Sequence, residues 1–165
     1  MTRVYNFNPG PAILPREVIE QAQAELPDYH GTGMSILEIS HRSAEYESIN
    51  AQAESRIKSI LGLGDEYRVL FIQGGASTQF SMVPMNFLAP GKTADYILTG
   101  TWSEKARDEA AKVGNVHIAA TTQPERYCRI PSPHEIGLSD SPEYLHITSN
   151  NTLWGTQWHE IPDVG

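Results

Sequence analysis

The chain has 165 residues, enough for one domain with a real core, and its balance of 39% apolar to 19% charged residues excludes a disordered polypeptide. Its net charge of −8 argues against DNA or RNA as a partner, because a long polyanion is held by a surplus of Lys and Arg on one face. A single cysteine, Cys128, allows no internal disulfide, and the six histidines (30, 41, 117, 134, 146 and 159) show no metal-ligand spacing. No segment reads as a signal peptide or a membrane span, so a cytoplasmic protein without metal, nucleic-acid or membrane partners is expected.

The elements follow in chain order. Residues 1–14 contain Asn8-Pro9-Gly10-Pro11, which is incompatible with a helix and predicts an extended arm. Pro15 suits a helix start, and Val18, Ile19, Ala22 and Leu26 share one face, so a short amphipathic helix is predicted over 16–26, ended by Pro27. After a mixed stretch over 28–42, Tyr46, Ile49, Ala53, Ile57, Ile60 and Leu61 predict a longer helix, capped by Ser43 and stopped by Gly62 and Gly64.

Strands and helices then alternate. Tyr67–Ile72 reads as a strand, and Ser77 to about Leu88 as a helix kinked at Pro84. Ala94–Leu98 is a strand, and Thr101-Trp102-Ser103-Glu104 has capping-box spacing for a helix reaching about Val113. Val116–Ala119 and Tyr144–Thr148 are strands, with a Pro/Ser/Thr-rich surface excursion over 120–142. This alternation predicts an α/β fold with a mainly parallel, helix-covered sheet.

Ligands of open α/β sheets bind beyond the carboxyl ends of the strands, which selects three segments. Gly74-Gly75-Ala76-Ser77 stands before a helix; it is either a cradle of backbone N–H groups for a phosphate or a plain tight turn with Ser77 as N-cap. Trp102 is either half-buried packing or a face on which an aromatic ligand stacks. Ser149-Asn150-Asn151-Thr152 is either a polar turn or a set of directed hydrogen-bonding groups. Together the three describe a site for a phosphorylated aromatic ring, and pyridoxal 5′-phosphate fits. His41-Arg42 adds an Arg fork suited to a carboxylate or phosphate, or a surface pair with Glu38 or Glu45.

Five ordered stretches carry a family resemblance. They are Asn6–Ala12, Glu38–Ser43, Phe71–Ser77, Ala94–Tyr96 with Gly100–Ser103, and His146–Thr152 with Gly155-Thr156. On these the chain resembles the N-terminal part of the phosphoserine aminotransferases, class-V pyridoxal-phosphate enzymes of the aspartate-aminotransferase-like fold (fold type I). The resemblance implies that residues 15–165 form an incomplete, cofactor-binding large domain of a three-layer α/β/α architecture. It implies that Gly75, Ala76 and Ser77 hold the cofactor phosphate, that Trp102 stacks on the pyridine ring, and that Thr152 hydrogen-bonds the cofactor. Arg42 would take the carboxylate of glutamate or of 3-phosphohydroxypyruvate, with His41 near the substrate phosphate.

The implied reaction moves an amino group from glutamate to 3-phosphohydroxypyruvate, giving 2-oxoglutarate and phosphoserine, in a homodimer serving serine and, in some bacteria, pyridoxine synthesis. None of Lys58, Lys92, Lys105 and Lys112 matches the family's Schiff-base lysine, so no catalytic residue is assigned in this chain. The chain is expected to be an inactive piece of the enzyme, with the rest of the large domain and the small C-terminal domain absent and an apolar sheet edge uncovered. Two alternatives remain: another fold-type-I aminotransferase or a desulfurase, and a non-catalytic anion-binding module.

Overall fold

In the computed structural model, which describes residues 3–164, the chain divides into two units between Phe71 and Ile72. Met1, Thr2 and Gly165, which belong to the arm and domain expected at the two ends, lie outside the described residues.

The first unit, through Phe71, holds two helices, α1 (Arg16–Glu25) and α2 (Ala44–Leu61). Residues 3–14 form neither helix nor strand. Helix α2 is capped as its sequence predicts. The Ser43 hydroxyl accepts the Tyr46 N–H (3.3 Å), and Gly62, left-handed at φ +66°, closes the last turn onto the carbonyls of Lys58 and Ser59. The apolar face of α1 is present but not buried: Val18 and Ile19 stay almost half exposed, and no described residue of this unit is buried.

The predicted strand at Tyr67–Ile72 does not form. A strand exists only by its ladder to a neighbour, and none of the described residues pairs with this segment, which leaves Leu70 and Phe71 exposed.

The second unit contains α3 (Gly75–Phe87), β1 (Thr93–Leu98), α4 (Thr101–Ala110), β2 (Asn115–Thr121), β3 (Leu145–His146) and a two-residue antiparallel pair, β4 (Asn150–Asn151) with β5 (Thr156–Gln157). The larger sheet is parallel in the order β2-β1-β3, as the alternation predicts. Central β1 is buried on both faces. Ala94, Tyr96 and Leu98 join Leu88, Ala106, Ala110 and Tyr127 on one side, while Ile97 joins Ala119 and Ala120 on the other. A register shift opposite Tyr96/Ile97 lets the adjacent residues Ala119 and Ala120 both be buried. Asp95 interrupts the apolar run. Its fully buried carboxylate accepts the Ser139 N–H (2.8 Å) and hydroxyl (2.6 Å), which meets the cost of burying it.

Several features differ from expectation, and β2 extends to Asn115–Thr121 where Val116–Ala119 is predicted. Helix α4 stops at Ala110, and the N–H groups of Val113 and Gly114 turn back onto the Ala110 carbonyl, at a glycine whose side-chain space is filled by Leu88. Strand β3 keeps only two residues of the expected five, because the ladder to β1 ends at His146. The excursion over 120–142 is not merely surface. It contributes Tyr127 to the core, buries Thr122, and is pinned by Arg129, which donates to both Glu125 (2.6 Å) and Glu135 (2.8 Å).

Candidate active site

The cradle begins at Gly74, which is left-handed at φ +92° and where a Cβ would stand 1.8 Å from Thr78 Oγ1, so no other residue fits. Helix α3 starts at Gly75, two residues earlier than predicted. Ser77 is therefore inside the first turn rather than its N-cap. The N–H groups of Gly75, Ala76 and Ser77 fall where a helix has no carbonyl for them, no side chain of the described residues caps this end, and all three residues are exposed. The positive end of α3 is thus open, with the Ser77 hydroxyl beside it.

The second part is the start of α4. The N-cap is Gly100, not Thr101, and a Cβ on it would lie 2.5 Å from the Asn151 side chain. The capping spacing read at Thr101–Glu104 is therefore one residue out of place. Ser103 is the residue that caps: its hydroxyl accepts the buried N–H groups of Thr99 (2.9 Å) and Gly100 (3.1 Å) and donates to the Gly100 carbonyl (2.6 Å). Asn151, fully buried, accepts the Trp102 backbone N–H (3.2 Å) on its Oδ1 and donates to Thr99 Oγ1 (2.9 Å), while Thr156 donates to the Thr99 carbonyl (2.6 Å). The β4–β5 pair is thereby fastened to the end of β1.

On that base the Trp102 indole N–H donates to Thr152 Oγ1 (2.9 Å). The Thr152 hydroxyl proton is left to donate outward from an exposed position. The first turn of α4 is fixed at two further points. Trp154 Nε1 donates to Thr101 Oγ1 (2.9 Å), and Tyr127 donates to Glu104 (2.6 Å) while meeting the Trp154 ring edge-on at 5.3 Å. Burial and the Glu104 carboxylate push the Tyr127 phenol well above its ordinary range, so it stays a donor. Helix α3 packs on α4, and the two share a groove of about 420 Å³ lined by Ser77, Phe80, Lys105, Asp108, Glu109 and Lys112.

Beneath this surface His146 stacks on Tyr96 (4.7 Å), and burial lowers its pKa to about 4, so the ring is neutral near pH 7. Its Nδ1, with Thr148 Oγ1 and Trp158 Nε1, is buried without a hydrogen-bond partner among the described residues.

His41 and Arg42 belong to the first unit, exposed in the turn before α2. The alternative surface pair with Glu38 or Glu45 is not made: Glu38 accepts the Ser35 N–H instead, and Arg42 has no carboxylate partner among the described residues. The structure brings Trp102 and Thr152 into direct contact and puts Ser77 on the groove beside α4. The fixings supplied by Asn151, Ser103, Tyr127 and Trp154 were not read from the sequence. Asn151 carried a signal, standing in a polar cluster directly after an apolar strand; Tyr127 and Trp154 carried none.

The sequence matches the aminotransferase class-V family over residues 4–165. It is 59% identical over 161 residues to the phosphoserine aminotransferase of Herpetosiphon aurantiacus, covering 98% of this chain and 45% of that protein. The fold resembles the phosphoserine aminotransferase of Bacillus circulans subsp. alkalophilus, with a TM-score of 0.89 and 53% identity over 99% of this chain and 45% of that one. It also resembles the pyridoxal-phosphate-bound phosphoserine aminotransferase of Trichomonas vaginalis, with a TM-score of 0.89 and 36% identity over 98% and 46%. The chain thus spans about 45% of the length of the curated relatives it matches.

Proposed function

Because the chain belongs to the aminotransferase class-V family, we propose that it forms the cofactor-holding part of a phosphoserine aminotransferase, with pyridoxal 5′-phosphate as cofactor. The observation that carries this reading is the indole of Trp102, locked by Thr152, on the helix that packs against α3 and its open N-terminus. The residues present fit the cofactor. An uncapped helix end with a serine hydroxyl suits a phosphate monoester, a fixed indole suits a pyridine ring, and the free hydroxyl proton of Thr152 suits a ring substituent that accepts.

In this reading Gly75, Ala76 and Ser77 bind the phosphate through backbone N–H groups and the Ser77 hydroxyl. Trp102 sets the plane of the ring, and Thr152 both orients the indole and donates to the ligand. Arg42 binds the carboxylate of glutamate or 3-phosphohydroxypyruvate as a fork, and His41 faces the substrate phosphate. Bound here, the cofactor would supply an electron sink for amino-group transfer, and the chain's own residues supply orientation and charge.

No lysine of this chain is assigned to the covalent link. Lys58, Lys92 and Lys112 pair with Glu54, Glu143 and Glu109, and Lys105 lies on Trp102 itself. The proposal therefore places that lysine elsewhere in a protein of the relatives' length. It also extends to a cytoplasmic homodimer acting in serine synthesis and, as for some bacterial members, in pyridoxine synthesis.

The test is to incubate the full-length protein with glutamate and 3-phosphohydroxypyruvate. Formation of 2-oxoglutarate is expected, and its absence removes the proposal. Arg42→Ala should impair substrate use far more than cofactor retention; unchanged kinetics would favour a different substrate.

A further inference from the structure

We propose that Lys105 is a further cofactor-binding residue, whose ammonium supplies the cationic counter-charge for the phosphate held at the start of α3; this rests on the cofactor reading above.

Three observations converge on it. Lys105 lines the same groove as Ser77, so its side chain and the cradle serin share one solvent space. Its Nζ lies 4.8 Å from the centroid of the Trp102 ring, one helical turn back, which holds the ammonium at the ring on which the cofactor would stack. And it is the groove's unspent cation. Asp108 is taken by Arg107 (2.6 Å), and Glu109 by Lys112 (2.5 Å) and Ser81 (2.9 Å), whereas Lys105 has no carboxylate partner among the described residues.

The chemistry of the cradle asks for such a group. Backbone N–H groups and one hydroxyl give Gly75, Ala76 and Ser77 directed hydrogen bonds but no full positive charge, while a phosphate monoester carries close to two negative charges at neutral pH. The chain as a whole is acidic, so the counter-charge must be local. An ammonium on a flexible four-carbon stem acts as a point charge that swings to the phosphate without demanding one geometry. Its resting place on the indole keeps it within the groove when the phosphate is absent. Because the contact is electrostatic, Lys105 differs in role from the residue that links the cofactor covalently.

The experiment titrates the apo form of the full-length protein with pyridoxal 5′-phosphate and with pyridoxal, which lacks the phosphate, comparing the unsubstituted protein with Lys105→Met and Lys105→Arg. Lys105→Met keeps the stem and removes the charge. It should weaken binding of the phosphorylated ligand by about tenfold, leave pyridoxal unchanged, and raise the concentration of inorganic phosphate needed to compete. Lys105→Arg should restore most of the affinity. Equal losses for the two ligands would show that Lys105 merely supports Trp102, and no loss for either would show that it is a bystander; both outcomes overturn the proposal. Borohydride trapping of the cofactor on Lys105 would overturn it too, in favour of a covalent role. If the unsubstituted protein binds pyridoxal as tightly as its phosphate, the cradle itself fails, which is a separate result from any change at position 105.

Discussion

Residues 3–71 and residues 72–164 solve the problem of order in different ways. The first set builds 28 helical residues, 10 in α1 and 18 in α2, without burying any of them, relying on local devices such as the Ser43 cap and the left-handed Gly62. The second set contains all the buried residues described, and it ties the polar groups at the end of β1 into a connected set of hydrogen bonds around Thr99, Gly100 and Asn151. The difference teaches where geometry can be precise. Trp102 and Thr152 are oriented by partners that are themselves fixed, whereas His41 and Arg42 rest on one turn held by the Ser40 hydroxyl and carbonyl. A flat ring needs the first kind of support, while a long guanidinium tolerates the second.

The same substitution made on both sides should expose this contrast most strongly. Ile97 is fully buried, so Ile97→Ala should cost about 3–4 kcal/mol in urea unfolding of the chain, against less than about 0.5 kcal/mol for Ile60→Ala at a site 82% exposed. Similar costs would erase the distinction. Next in size are the two serine caps. Ser103→Ala strands two buried N–H groups and should cost about 2–3 kcal/mol, whereas Ser43→Ala removes one exposed cap bond for about 1 kcal/mol. The order of these two is the measurement that matters.

A pH-dependent effect follows from His146, which lies only on the packed side. Burial opposes its protonation in the folded chain, and nothing opposes it in the unfolded one. Stability is therefore intact above about pH 6.5 and falls as the pH drops toward 4, by on the order of 2 kcal/mol given the ring's partial exposure. His146→Phe should flatten that slope in thermal melts across the same range; an unchanged slope would assign it to other groups.

Much of the packed unit was legible in its sequence. The apolar runs located β1 and β2, and the glycine pair located the open turn at the head of α3. What was not legible depended on neighbours distant in the chain. The run at Tyr67–Ile72 has a strand's composition, but composition does not provide a partner, and no ladder forms among the described residues. Ser103 looked like an interior letter of a capping box; it became the cap because Gly100 has to remain bare where Asn151, 51 residues later, approaches it. Tyr127 sits in a stretch whose Pro and Ser content predicts surface, yet it is drawn into the core by the Glu104 carboxylate and the Trp154 ring. The two candidate ligand residues of the first unit were legible only as a motif, since nothing around them is packed tightly enough to reveal a purpose.

In the proposed function Trp102 is the face against which a phosphorylated ring is held. Titrating the intrinsic tryptophan fluorescence with pyridoxal 5′-phosphate tests it directly, because the chain has only Trp102, Trp154 and Trp158 to report. Saturable quenching is expected, and most of it should vanish in Trp102→Phe while Trp154→Phe preserves it. Quenching that survives intact in Trp102→Phe would contradict the claim.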